Sequence, residues 1–135
     1  MSPKEPIRVQ SVMRKNYVAV EGMETVAETL TKMKAAGSAI AIVNKRHDDD
    51  EIGLVLLADI AKQVLAADRA PQRVNVYEIM AKPVVSVPPE MDIRYCARLF
   101  ERFGLSSAPV IQDRRVVGVV SYNELVLDGL WPATG

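Results

Sequence analysis

The sequence predicts an α/β (α+β) fold built from two copies of one strand-helix-strand-strand-helix unit, packed as a pseudo-twofold pair. Three observations carry that expectation. Laid on itself at an offset of 67, the chain pairs Met13 with Met80, Lys15 with Lys82, Val18 with Val85, Val20 with Val87, Gly37 with Gly104, Ala41 with Ala108 and Val43 with Val110. Each copy then runs through the same order of alternating and helical apolar spacing. The one change of register, which aligns Gly53-Leu54-Val55 with Gly118-Val119-Val120 and Asp59 with Glu124, falls around His47-Asp48-Asp49-Asp50, a polar run suited to an exposed loop.

The first strand of each copy is a short β-branched run, Tyr17 to Val20 and Val84 to Val87. A helix follows from Thr25 to Ala36, opened by the capping box Thr25-Val26-Ala27-Glu28, with Val26, Leu30 and Met33 on its inner face and Gly37 at its end. Its counterpart is capped by Asp92, turns Ile93, Cys96, Ala97, Phe100 and Phe103 inward, and ends at Gly104. Two strands come next, Ile40 to Asn44 with Ile52 to Leu56, and Pro109 to Gln112 with Val116 to Val120, the latter joined by a tight Asp113-Arg114 turn. A second helix closes each copy, Ala58 to Ala67 and Tyr122 to Leu130. The expected segments are an N-terminal extension 1–9, repeat 10–67, a polar linker 68–75, repeat 76–128 and a tail 129–135, where Trp131 is expected to pack at home. A unit of this size leaves apolar surface uncovered, so the copies are expected to pair.

Lys plus Arg and Asp plus Glu both total 17, which leaves no electrostatic footprint for duplex nucleic acid or an anionic membrane. No apolar run approaches the roughly 20 residues that span a bilayer, and the opening MSPKEPIRVQ lacks the apolar centre of a signal peptide. A single cysteine, Cys96, has no internal partner. The expectation is a cytoplasmic protein. Enzyme motifs are missing: the one histidine sits in the acidic run, and neither Gly-x-Ser-x-Gly, a phosphate loop nor Cys-x-x-Cys occurs. Metal binding by His47 to Glu51 is not expected, because consecutive residues on a loop rarely converge on one ion. Neither catalysis nor a required cofactor is expected.

The Met-x-x-x-x-Val starts at Met13 and Met80, the helix ending in Gly before an apolar strand, Ser-Ala-Pro-Val at 107–110 and Gly118-Val119-Val120-Ser121-Tyr122-Asn123-Glu124-Leu125 resemble the CBS-domain family, over Gln10 to Asp128. The resemblance implies repeats joined through their sheets, two clefts that hold adenosine-containing ligands, and association into homodimers. It also implies a Ser or Thr and, three residues later, an Asp at the turn after the third strand. Here those positions are Leu56 with Asp59 and Ser121 with Glu124, so each departs from the pattern at one residue. A carboxylate accepts ribose hydroxyls, while a hydroxyl and helix-start amides donate to phosphate.

The first cleft would join Asp59 to Val85, Leu105 and Ser106, with Lys82 toward an anionic group; the second would join Ser121 and Glu124 to Val18, Ser38 and Ala39, with Lys15 or Arg14 toward phosphate. A plainer reading stands beside each: acids in a first helical turn complement the macrodipole, Ser121 serves as a helix cap, and the lysines are solvated charges. The function expected is a stand-alone regulatory module that binds AMP, ADP, ATP or S-adenosylmethionine and reports to an effector protein. The alternative is a ligand-free dimerisation or interaction scaffold.

Overall fold

In the computed structural model, which describes residues 5–130 apart from Pro83, the chain divides into two compact units. One consists of residues 16–84 and the other of residues 85–130 together with 5–15. Each is described by itself.

In the unit of residues 16–84, β1 (Val18–Val20) lies parallel to β2 (Ile40–Val43), which pairs antiparallel with β3 (Gly53–Leu56). Between β1 and β2 runs helix α2 (Val26–Ala36); helix α1 (Val9–Val12) belongs to the other unit. The expected capping box is formed: the Glu28 amide donates to Thr25 Oγ1 at 3.1 Å and the Thr25 amide to Glu28 Oε1 at 2.8 Å. Gly37 closes the helix at φ 62°, a left-handed conformation that only glycine adopts without a Cβ penalty. Thr25→Ala removes one half of this box and is expected to cost about 1 kcal/mol, read as a drop in the denaturation midpoint. Val26 and Met33 are buried as expected, and Thr29 joins them, while Leu30 packs from the edge.

After β3 the chain turns directly into α3 (Leu57–Ile60), which widens into a π-helical stretch, Ala61–Leu65. The segment expected as a polar linker, 68–75, is built into this unit. Val74 is 1% exposed, its carbonyl accepts from the Val26 amide at 2.8 Å, and Val76 and Ile79 follow it into the core. Its charged residues gave it the look of a connector, and a lone valine is too little apolar pattern to mark burial.

In the unit of residues 85–130, α4 (Ile93–Phe103) packs on the hairpin β4 (Ser107–Gln112) and β5 (Arg115–Ser121). The hairpin turn is Asp113-Arg114, with φ 52° and 68°, the pair of positive values a two-residue turn requires. Asp92 caps α4, accepting from the Arg94 amide at 2.8 Å. Ile93, Cys96 and Phe100 are buried and Ala97 is half-buried. Phe103 is 56% exposed, contrary to expectation: it stands in the last turn of α4, directly before the Gly104 cap.

The strand expected over Val84 to Val87 is reduced to a single parallel bridge, Val87 with Val110. Superposing the two copies explains why. Pro109 takes the place of Ile42, whose amide position faces the first strand in the complete sheet, and proline has no N–H to donate. Only the Val87 amide to the Pro109 carbonyl and the Ile111 amide to the Val87 carbonyl remain.

The segment before β1 completes this unit. Val9 and Val12 are buried in its core, so the expected extension and repeat start serve the second copy's hairpin. Arg14 exchanges both backbone hydrogen bonds with Val119, at 2.8 and 2.9 Å, as Ala81 does with Leu54 in the first unit at 2.8 and 3.0 Å. Met13 lies against Gly118 and Met80 against Gly53, so the two methionines that mark the repeats are pressed onto glycines that also correspond. Trp131 to Gly135 lie outside the described residues.

Asp92 links α4 to this segment through its backbone bridge with Arg8. The Arg94 side chain, hydrogen-bonding at 2.7 Å, and the Arg94 amide hold its carboxyl at about 2, below the ordinary value near 4. A depressed carboxyl adds stability above about pH 4 and loses it as the pH falls through about 2. Asp92→Asn is therefore expected to flatten the acid-side decline of the melting temperature in that window.

Candidate functional site

Each unit carries one carboxylate at the start of the helix that follows its last strand. In the first, β3 runs into α3 without a loop, and the Leu56 amide donates to Asp59 Oδ2 at 3.0 Å. In the second, the Ser121 amide donates to Glu124 Oε1 at 2.7 Å and the Ser121 hydroxyl to the same oxygen at 2.9 Å. The extra methylene of Glu124 lets it reach back over the Ser121 hydroxyl. Leu56 has no such group, so Asp59 holds only a backbone amide. Both carboxylates are half-buried, and in each one oxygen is left over for a further donor.

The neighbouring residues follow from strand order. Ser38-Ala39 precede β2, whose first residue Ile40 pairs with Leu56, and the Leu57 amide donates to the Ala39 carbonyl at 3.0 Å. Ser106 precedes β4, whose first residue Ser107 pairs with Ser121, and the Tyr122 amide donates to the Ser106 carbonyl at 3.3 Å. The structure thus sets Ser38-Ala39 beside the Asp59 turn, and Leu105-Ser106 beside the Ser121-Glu124 turn, each within one unit. Next to Ser38, Ala39 and Leu57 lies a depression of about 410 Å³ floored by Leu30 and Met33.

The Ser38 hydroxyl is buried and turned to its own chain, donating to the Ile40 carbonyl at 2.8 Å. Val18 is 6% exposed and its side chain lies in the core; Val85 is 38% exposed. Lys15 is exposed. Lys82 is half-buried and paired with Asp50, an interaction that sequence reading missed because it treated the acidic run as solvated loop.

Cys96 is fully buried, and burial pushes its thiol up to about 11, so it stays protonated and unreactive near neutral pH. Among the described residues no three His, Cys, Asp or Glu side chains gather in a metal-binding group, and no helix is long and apolar enough to cross a membrane.

The CBS domain pattern matches twice, over residues 9–66 and 76–127. The chain belongs to the CBS domain family. A hexameric CBS-CP12 protein from bloom-forming cyanobacteria is 36% identical and superposes with a TM-score of 0.91, over 96% of this chain and 75% of that one. A CBS domain pair solved in complex with 5′-methylthioadenosine and S-adenosyl-L-methionine shares the fold at 20% identity and a TM-score of 0.80, over 97% of this chain and 100% of that one. An uncharacterized protein of Methanopyrus kandleri is 25% identical over 89% of this CBS chain. A homoserine O-acetyltransferase of Methanosalsum zhilinae is 27% identical over 88% of it. The chain spans 61% of the first of these relatives and 23% of the second.

Proposed function

We propose that this CBS pair is a regulatory module that binds an adenosyl ligand at the two carboxylate turns and passes the bound state to an effector protein. The observation that carries the reading is the recurrence of one arrangement in both units: a helix-start carboxylate with a spare oxygen, set beside the residues that lead into the preceding strand. A ribose diol needs such an acceptor, and the helix-start amides suit a polar or anionic group. Asp59 without a hydroxyl at Leu56 fits a nucleoside better than a phosphate; the Ser121 hydroxyl would have to turn away from Glu124 Oε1 to donate to a phosphate. Ser38 and Ala39 stand beside Asp59 within its unit, and Leu105 and Ser106 beside Ser121 and Glu124 within theirs, with Lys15 of that unit as a candidate anion partner. Lys82 would have to leave Asp50 to serve. The solved CBS pair that holds two adenosyl compounds supports this ligand class.

The chain acts without catalysis or a required cofactor in this reading, as a cytoplasmic homodimer. Titration calorimetry with AMP, ADP, ATP and S-adenosylmethionine tests it. Micromolar binding that Asp59→Ala or Glu124→Ala weakens by at least about tenfold, or 1.4 kcal/mol, is expected. Unchanged affinity in both variants removes the role assigned to them.

One observation favours a second reading, a ligand-free scaffold. Leu57 and Leu65, at the two ends of the helical stretch after β3 in the first unit, and Val126, Leu127 and Leu130 at the end of the second, are 43 to 78% exposed. Exposed apolar residues at this density suit an interface between copies or with a partner. A folded, oligomeric protein that binds none of the four ligands is its expected signature.

A further inference from the structure

The longer connection between the hairpin strands of the first repeat borders a pocket in that unit. In the second copy the hairpin ladder continues to Gln112 and Arg115 and turns at Asp113-Arg114. In the first it stops at Val43 and Gly53, and residues 44–52 form a loop that brings Asp50 back over the end of the sheet. There a cavity of about 300 Å³ is lined by Val43, Met80 and Tyr77 and by the charged side chains of Arg46, Asp50, Lys82 and Glu21, the last held by the Asn44 side-chain amide at 2.7 Å. It lies at the Val43–Gly53 end, three residue pairs from the Ile40–Leu56 end that adjoins Asp59, or about 10 Å along the strands.

The chemistry of this pocket is that of an anion site filled from within. Asp50, whose side chain is 9% exposed, takes Lys82 on Oδ1, and on Oδ2 it accepts from the Arg46 amide at 3.0 Å and Arg46 Nε at 3.3 Å. Those donors hold its carboxyl well below the usual carboxylate range, so it is ionised at any physiological pH. Val43 and Met80 give the lining an apolar part, and Tyr77, which also lines the pocket, is half exposed. An ion pair placed over apolar surface that solvent still reaches gains more when an incoming molecule covers that surface.

We propose that this pocket binds a small carboxylate with a short apolar tail, whose head displaces Asp50 from Lys82 and Arg46 while its tail lies on Val43, Met80 and Tyr77. Asp50 stands in for the ligand head in the empty state, and the loop carrying it is released when the ligand enters. The site shares no residue with the Asp59 and Glu124 turns except the candidate cation Lys82.

The full chain, titrated with 4-methylpentanoate and followed by amide chemical shifts, tests this. Saturable shifts at Gly22, Asn44 and Tyr77 are expected. Acetate, which lacks the tail, and 4-methylpentanamide, which lacks the charge, are expected to bind at least about tenfold more weakly. Asp50→Asn removes the competing head and is expected to tighten binding by about tenfold, and Lys82→Met to abolish it. Equal affinity for the carboxylate and its amide, or unchanged affinity in Lys82→Met, overturns the proposal. The comparison of carboxylate and amide on the unaltered protein decides the matter even where Asp50→Asn unfolds. Adenosyl binding at the other turns is read separately, through Asp59→Ala.

Discussion

Deleting residues 1–13 is expected to unfold residues 85–130 while leaving residues 16–84 folded. The reason is the way the segments are shared out. Val9 and Val12 lie in the core that also holds Phe100, Val110 and Val120, and their removal exposes that core directly. Each fully buried valine contributes roughly 1.5–3 kcal/mol, so the pair represents on the order of 5 kcal/mol before the loss of Ile7 and Met13 is added. A total domain stability is about 5–15 kcal/mol, so the deletion removes most of what this unit has. The core around Val26, Met33 and Val55 contains nothing from that segment. Amide exchange resolved by segment reads the outcome: protection is lost across α4, β4 and β5 and kept across β1 to β3. Uniform loss, or none, contradicts the division.

Gly118→Val is expected to be strongly destabilising. A Cβ at Gly118 would stand 2.9 Å from the Arg14 carbonyl oxygen and 2.8 Å from Met13 Sδ. The carbonyl belongs to a backbone that is hydrogen-bonded to Val119 in both directions, so it has nowhere to move. Overpacking of this kind costs about 1–3 kcal/mol, with the loss of the Arg14 pairing in addition. Gly53 offers an internal control. The three atoms nearest a Cβ there all belong to the Met80 side chain, with Sδ closest at 2.6 Å, and a flexible thioether can swing away. The denaturation midpoint of Gly118→Ala is therefore expected to fall further than that of Gly53→Ala, although the two glycines are equivalent in the repeat.

These two predictions rest on features the sequence displays only in part. The repeat, both glycine-terminated helices, the Thr25 and Asp92 caps and the Asp113-Arg114 turn were all legible, because each depends on residues close together in the chain. The pairing of Met13 with Gly118 was not, since self-comparison shows that two segments correspond without showing which one packs on which. The missing Val84–Val87 strand depended on Pro109, more than twenty residues away, and Val74 gave no periodic pattern within its polar segment. At the candidate site, Asp59 and Glu124 were found as acids in first turns, and the structure places them as helix caps with an oxygen to spare. The fate of Lys82 was hidden because its partner, Asp50, sits in the one loop where the repeats differ in length.

The most direct test of the regulatory reading is calorimetric titration of the nucleotide-stripped full chain with AMP, ADP, ATP and S-adenosylmethionine, beside Asp59→Ala and Glu124→Ala. Micromolar binding of at least one ligand, lost in one variant whose melting temperature is unchanged, is the predicted result. Binding of none of the four by a folded protein, or binding that both variants retain in full, would contradict the assignment of these turns to an adenosyl ligand.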